Sequence, residues 1–348
     1  MDDAELEAIL KQLSIPKEEM EEIKKSWVFQ ESGEINQLKD HHVGTQPIRV
    51  VHNMVLHMFA NTYPAFKEKL QKLVDEGKLN PKINLVLKQE CISGDGLINT
   101  PRVSGDSRQI CVHETFLSYL WCVSYAVYIL YIEKVDYPKL NKAAGKIIYP
   151  VSQVEIDKAM KLFDYGKSLI AYFSEWDIDA LPNPEKYLAE NRNYVEQSSM
   201  CYTEAVSFIL AHELTHLERH IDELNENTPD SHYLNFEIEA DKEAIFHTIQ
   251  SAKVMGPKSV NSGIVVALLS MLYFSSVTSG KRHPNVEDRI TTALELLNID
   301  EFDPAWGMAC VGLELWEQQF NLNFEWLQDS YSPQQQYYHL LKQIKSRN

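Results

Sequence analysis

The chain has 348 residues, 44% hydrophobic and 24% charged, a globular composition with room for one large domain or two ordinary ones. Its 33 basic residues face 50 acidic ones, a formal charge of −17, which argues against wrapping nucleic acid or lying on an anionic membrane surface. The five cysteines are scattered without a C-x-x-C pair, which excludes a disulfide framework and a thiolate zinc knuckle and fits reduced thiols in the cytosol.

In chain order, residues 1–40 are charge-rich and read as a helical N-terminal appendage. Pro16 suits a helix start, with acids after it and lysines later, as the helix dipole favours. The opening residues are acidic and lack an apolar run, so no signal peptide is expected. Residues 41–348 are expected to form the main domain. Residues 46–75 read as helix. Residues 76–113 change character: Gly, Pro, Asn and Asp punctuate the short apolar runs INLVL and RQICV, so the β structure is placed here as a small sheet. Within it, Arg108–Val112 is expected to be an edge strand open to a substrate backbone.

Residues 115–132 read as an aromatic-rich buried helix. The apolar stretches at 119–132 and 263–277 fall short of the roughly 18–20 residues that span a bilayer, so no membrane span is expected. Residues 154–174 have helical spacing, and WDIDALPNPEKY reads as a linker with two prolines. From about residue 200 the pattern is helix after helix: 202–224, 234–252, 261–278, 285–297 and 305–320, with one more near QQQYYHLLKQI. The whole reads as an α+β protein, mainly α, with a small β-sheet lining the active-site cleft.

The chemistry concentrates in FILAHELTHLERHIDEL, residues 208–224. Val206, Ile209 and Leu210 give a helix there one buried stripe. His212 and His216 are four apart and face the same way, so their imidazoles can hold one Zn²⁺. Glu213 then lies beside the metal, placed to take a proton from a metal-bound water. A bare HExxH arises by chance in roughly a few per cent of chains of this composition; the helical context and the apolar lead-in from Phe208 raise its weight here.

A catalytic zinc needs a third protein ligand and an open position. Residue 222, six beyond His216, would be histidine in a metzincin; here it is Asp222. His220, a turn beyond His216 and too far along to bind the same ion, reads either as a support for the ligands or as a solvated residue, with the solvated reading slightly favoured. NFEIEADKEAIF, residues 235–246, offers a better candidate, a helix with Phe236, Ala240 and Phe246 among its inward positions. Glu237 can complete a His-His-Glu set. Asp241, a turn on, can accept the outer N–H of a ligating histidine. Glu239 and Glu243 fall on a solvated face. In RHPNVEDRI, His283 is held extended before Pro284 and can stabilise an oxyanion, and Arg289 can pair with a buried carboxylate.

HELTH at 212–216, EIEAD at 237–241 and HPNVEDRI at 283–290 together resemble the gluzincin arrangement of the CAAX prenyl protease and HtpX-like family. The resemblance implies His212, His216 and Glu237 as zinc ligands, Glu213 as base, and supporting roles for Asp241, His283 and Arg289. The expected lack of spanning helices departs from that family. The block at 200–295, with VHETFLSYLW at 112–121, is similar to the bacterial phage-exclusion peptidases of the Lit type. That similarity implies a cytosolic zinc peptidase that cuts a host translation elongation factor once a phage component, an activating partner, triggers it. The reading is therefore a cytoplasmic zinc metallopeptidase acting on a protein or peptide substrate. Its rival is a regulatory or interaction protein that keeps a structural zinc without catalysis.

Overall fold

The computed structural model describes residues 28–29, 34–36, 46–48, 51, 55–56, 59–60, 62–86, 98–223, 228–255, 257–328 and 331–347. The expected helices in 1–40 fall mostly outside the described residues. The described part is extended instead: strands β1 (Val28–Phe29) and β2 (Glu34–Asn36). They pair antiparallel, and β2 pairs antiparallel with β6 (Lys186–Leu188), a strand hidden in the proline-rich linker.

The described parts of 46–75 are helical where the sequence pattern asks for it. Helix α1 (Pro64–Asp75) has proline at its first position, where the missing N–H is no loss. A second sheet contains β3 (Asn84–Val86), β4 (Arg102–Ser104) and β5 (Gln109–His113), in the order β3-β5-β4. β5 is therefore the central strand, parallel to β3 and antiparallel to β4. This corrects the expectation of an open edge at Arg108–Val112: β4 already pairs with Gln109–Cys111 and β3 with Cys111–His113.

β5 leads directly into α2 (Glu114–Tyr131), a π turn at Ile132–Asp136 and α3 (Tyr137–Ala144). Together they make a 31-residue helical stretch, long and apolar enough to cross a membrane, with 89% of its apolar window buried inside the protein. Its length exceeds the sequence expectation because the helix continues through the π turn. Its apolar faces are covered by α4 (Gln153–Ala171), α5 (Arg192–Thr215) and α9 (Pro304–Phe320). Trp121, Tyr119 and Tyr125 of α2 are fully enclosed, so burial of aromatic surface fixes it as the axis of the core.

α5 begins ten residues before the expected start and carries the HELTH motif at its C-terminal end. α6 (Asp230–Met255) packs against it, as does α7 (Pro257–Leu269). The α5–α7 approach requires a glycine: a Cβ on Gly263 would lie 2.3 Å from the Glu204 Cβ and 2.9 Å from the Ala205 nitrogen. α8 (Val286–Leu296) lies on α6 and α7, and α10 (Pro333–Lys345), which starts in a Ser332–Gln335 capping box, closes on α9. The fold is mainly helical with small sheets, an α+β protein.

Candidate metal centre

HELTH is helical because nothing in it breaks a helix and its apolar neighbours have a core to enter. Val206 and Leu210 are buried there, while Ile209 is only half-buried. The four-residue spacing puts the two imidazoles on one face: His212 Nε2 and His216 Nε2 are 3.0 Å apart. After Thr215 the helix widens into a π turn, His216–His220, closed by the Ile221 N–H donating to the His216 carbonyl at 2.9 Å. Such insertions recur at functional sites.

α6 brings the third donor. Glu237 Oε2 is 3.5 Å from His212 Nε2, and Oε1 is 3.3 Å from His216 Nε2. His212 and Glu237 are buried, and the His216 side chain is 12% exposed. Among the described residues, these three form the cluster able to hold a metal ion, with ligand atoms within 4.8 Å of one another. A tetrahedral metal with bonds of about 2.0–2.1 Å requires ligand atoms about 3.3 Å apart. Separations of 3.0, 3.3 and 3.5 Å match that edge length.

Charge points the same way. Glu213, Glu237 and Asp241 are buried with one guanidinium, Arg289. With both imidazoles neutral, as metal ligands are, the group carries two surplus negative charges, which a dication would balance. Burial alone would lower the His212 pKa, yet Asp241 and Glu237 push it up to about 9. Burial raises the Glu237 carboxyl, but hydrogen bonds from His212, His216 and His283 more than offset this and hold it well below the usual range. Glu213 is different. Burial pushes its pKa up, with His212 and His216 opposing and Glu237 adding to the rise.

Asp241 is one turn from Glu237 and reaches the outer edge of His212. The Nδ1 to Oδ1 distance is 2.9 Å, so an N–H on Nδ1 donates to the carboxylate and leaves Nε2 for a metal. Arg289 of α8 clamps Asp241 with two bonds, Nε to Oδ2 at 2.6 Å and Nη2 to Oδ1 at 2.7 Å. Burial would raise the Asp241 carboxyl, but Arg289 and His212 bring it below its ordinary value. Arg289 thus meets the buried carboxylate expected from the sequence. Its Nη2 also lies 3.9 Å from Glu237 Oε2, and its Nη1 donates to the Met271 sulfur at 3.2 Å. His283, in the loop before α8, places Nδ1 3.1 Å from Glu237 Oε2 with 62% of its side chain exposed.

Two expectations are corrected here. His220 is 2% exposed, not solvated: its Nδ1 is 3.0 Å from His216 Nδ1, and its ring stacks on Phe236. Glu239 lies on the solvated face the sequence gives it, 44% exposed, and from there its Oε2 is 3.3 Å from His220 Nε2 while Arg219 Nη1 donates to its Oε1 at 2.6 Å. Phe246 is 57% exposed, and the inward residue beside it is His247. The histidine spacing 212, 216, 220 was the available signal that His220 shares the face of the two ligands; its burial is not encoded there. Asp222, at the metzincin position, instead pairs with Arg108, and Gly105 abuts Ile221, so the β4–β5 turn rests on the segment just beyond the π turn.

A family model for peptidase U49 matches residues 110–309, from within β5 to the first turns of α9 and including every residue of this centre. The chain belongs to the peptidase U49 family. This is the Lit-type side of the sequence resemblance, and it makes a U49 protein a peptidase, a hydrolase of peptide bonds. Neither the curated proteins nor the solved structures contain a match. For a U49 peptidase, the buried His212-His216-Glu237 group is a donor set that can hold the metal of a metallopeptidase.

Proposed function

We propose that this U49 peptidase is a zinc-dependent endopeptidase with Glu213 as its general base. The observation that carries the reading is the placement of Glu213: buried, next in sequence to His212, beside three donors spaced for one tetrahedral metal. Two imidazoles and one carboxylate form the gluzincin-type set that suits Zn²⁺. Bound there, zinc would supply Lewis-acid polarisation and lower the pKa of water.

The chain's own residues do the rest. Glu213, its pKa raised by burial, takes a proton from the attacking water and returns it to the leaving amine. Asp241 and Arg289 hold His212 in the tautomer that presents Nε2. His283, the exposed member of the group, is the residue a substrate carbonyl can reach, and we assign it stabilisation of the oxyanion. With β5 central, strand addition by a substrate falls to β4, an edge among the described residues whose turn rests beside the π turn.

We place the activity in the cytosol, in keeping with four buried free cysteines at Cys111, Cys122, Cys201 and Cys310. The Lit-type resemblance supports a host translation elongation factor as substrate, a phage component as activating partner, and a role in antiviral defence.

The deciding variant is Glu213→Gln. It should keep its zinc and fall at least about 100-fold in cleavage of an elongation factor or unfolded-protein mixture, scored by new N-termini. Cleavage at the wild-type rate would remove Glu213 from the mechanism.

A further inference from the structure

We infer that His220 and Glu239 form an outer relay that orients His216, making His220 a positioning residue of the metal centre. The inference rests on the reading of His212, His216 and Glu237 as ligands and extends it by one shell of named contacts.

The direction of every hydrogen follows from one requirement. If His216 offers the lone pair of Nε2 to a metal, its proton sits on Nδ1. His220 Nδ1, 3.0 Å away, must then accept. The proton of His220 is therefore on Nε2, and that nitrogen faces Glu239 Oε2 at 3.3 Å. The other Glu239 oxygen accepts from Arg219 Nη1 at 2.6 Å, and the same nitrogen donates to Glu243 Oε1 at 3.0 Å. Each donor meets an acceptor along the whole line.

The ring planes are held as well. Phe236 stacks on His220 with centroids 4.4 Å apart and planes 17° from parallel. A histidine retained only for packing would need one satisfied nitrogen. Here both nitrogens are engaged, in the one order that leaves His216 Nε2 open. The two ligating imidazoles are thus secured in parallel fashion. His212 reaches a carboxylate–guanidinium pair directly, Asp241 and Arg289. His216 reaches one through a second imidazole, Glu239 and Arg219. Ring orientation by such partners typically governs metal affinity by 10–100-fold.

The test uses the full chain and Zn²⁺ alone, with dissociation constants from competition against a chromogenic chelator. His220→Leu keeps an apolar body against Phe236 and removes the acceptor; it should weaken Zn²⁺ binding by about 10–100-fold. His220→Gln can accept through Oε1 and donate through Nε2, and should recover most of the loss. A packing role predicts the reverse order, with Leu tolerated and Gln not. Wild-type affinity in His220→Leu overturns the relay. If that variant fails to fold, Glu239→Ala at an exposed position carries the test, and unchanged affinity there overturns it. The metal reading is judged separately: one Zn²⁺ per wild-type chain, lost in His216→Ala, upholds it. A wild type that takes up no Zn²⁺ removes both.

Discussion

Arg289 is the residue on which the centre's electrostatics turn. It is the one guanidinium buried with Glu213, Glu237 and Asp241, and it makes a two-pronged contact with Asp241. A buried carboxylate stripped of its partner is far costlier than an intact pair is stabilising, about 3–5 kcal/mol. Arg289→Met should therefore lower unfolding free energy by about that amount in urea titrations. It should also weaken Zn²⁺ binding, because Asp241 would no longer be fixed against His212 Nδ1. Arg289→Lys should not restore either property, since a single ammonium cannot reproduce the fork that meets both carboxylate oxygens. A loss below about 1 kcal/mol in Arg289→Met would mean that Asp241 finds another partner and that the clamp is dispensable.

Between elements, the contact of α1 with α6 has a titratable group at its centre. His247 of α6 lies against Phe66, centroids 4.1 Å apart, with Phe59 and Tyr63 around it. Burial, with Lys69 nearby, lowers its pKa to about 4. The folded value lies below the unfolded one, so the unfolded chain binds the proton first as pH falls. The stabilisation is fully present above about pH 6.5 and is lost as pH drops toward 4. Between pH 7 and 5 this amounts to about 2 kcal/mol. His247→Leu should flatten the urea-derived stability profile over that interval by about this amount, and identical wild-type and variant slopes would locate the acid sensitivity elsewhere. The same position illustrates what the sequence made legible. HELTH and Glu237/Asp241 could be placed because four-residue spacing fixes a helical face whatever the fold. Phe246 was read as inward because apolar periodicity credits a phenylalanine over a histidine; the aromatic pocket on α1 that receives His247 comes from residues about 180 positions away. β5 was misread as an edge because its pairing with β3 depends on a parallel partner distant in sequence, Asn84 opposite Cys111. The burial of His220 depends on the π turn after Thr215 and on Phe236 from another helix, neither of which periodicity encodes.

For the whole molecule, the centre acts as a joint between segments far apart in the chain. α5 supplies His212 and His216, α6 supplies Glu237 and Asp241, α8 supplies Arg289, and the loop before α8 supplies His283. Without a cation, these elements converge on a surplus of buried negative charge. A ligand that binds only the folded chain stabilises it by RT ln(1 + [L]/Kd), about 2.7 kcal/mol at a hundredfold excess over Kd and about 4.1 at a thousandfold. For a chain of this size each kcal/mol moves the melting temperature by roughly 1.4 °C. Stripping the metal with a chelator should therefore lower Tm by roughly 4–6 °C, and restoring Zn²⁺ should reverse the shift. His216→Ala should melt near the stripped wild type and ignore the chelator. Glu213→Gln should show the full shift, because a base beside the metal takes no part in binding it. A zinc-loaded wild type that loses its metal with no change in Tm would mean that the ligand helices are already locked together by the α5–α6–α7 core. Equal loss of the shift in Glu213→Gln would instead move Glu213 from base to ligand. The two failures differ: the first leaves the catalytic assignment intact, and the second overturns it.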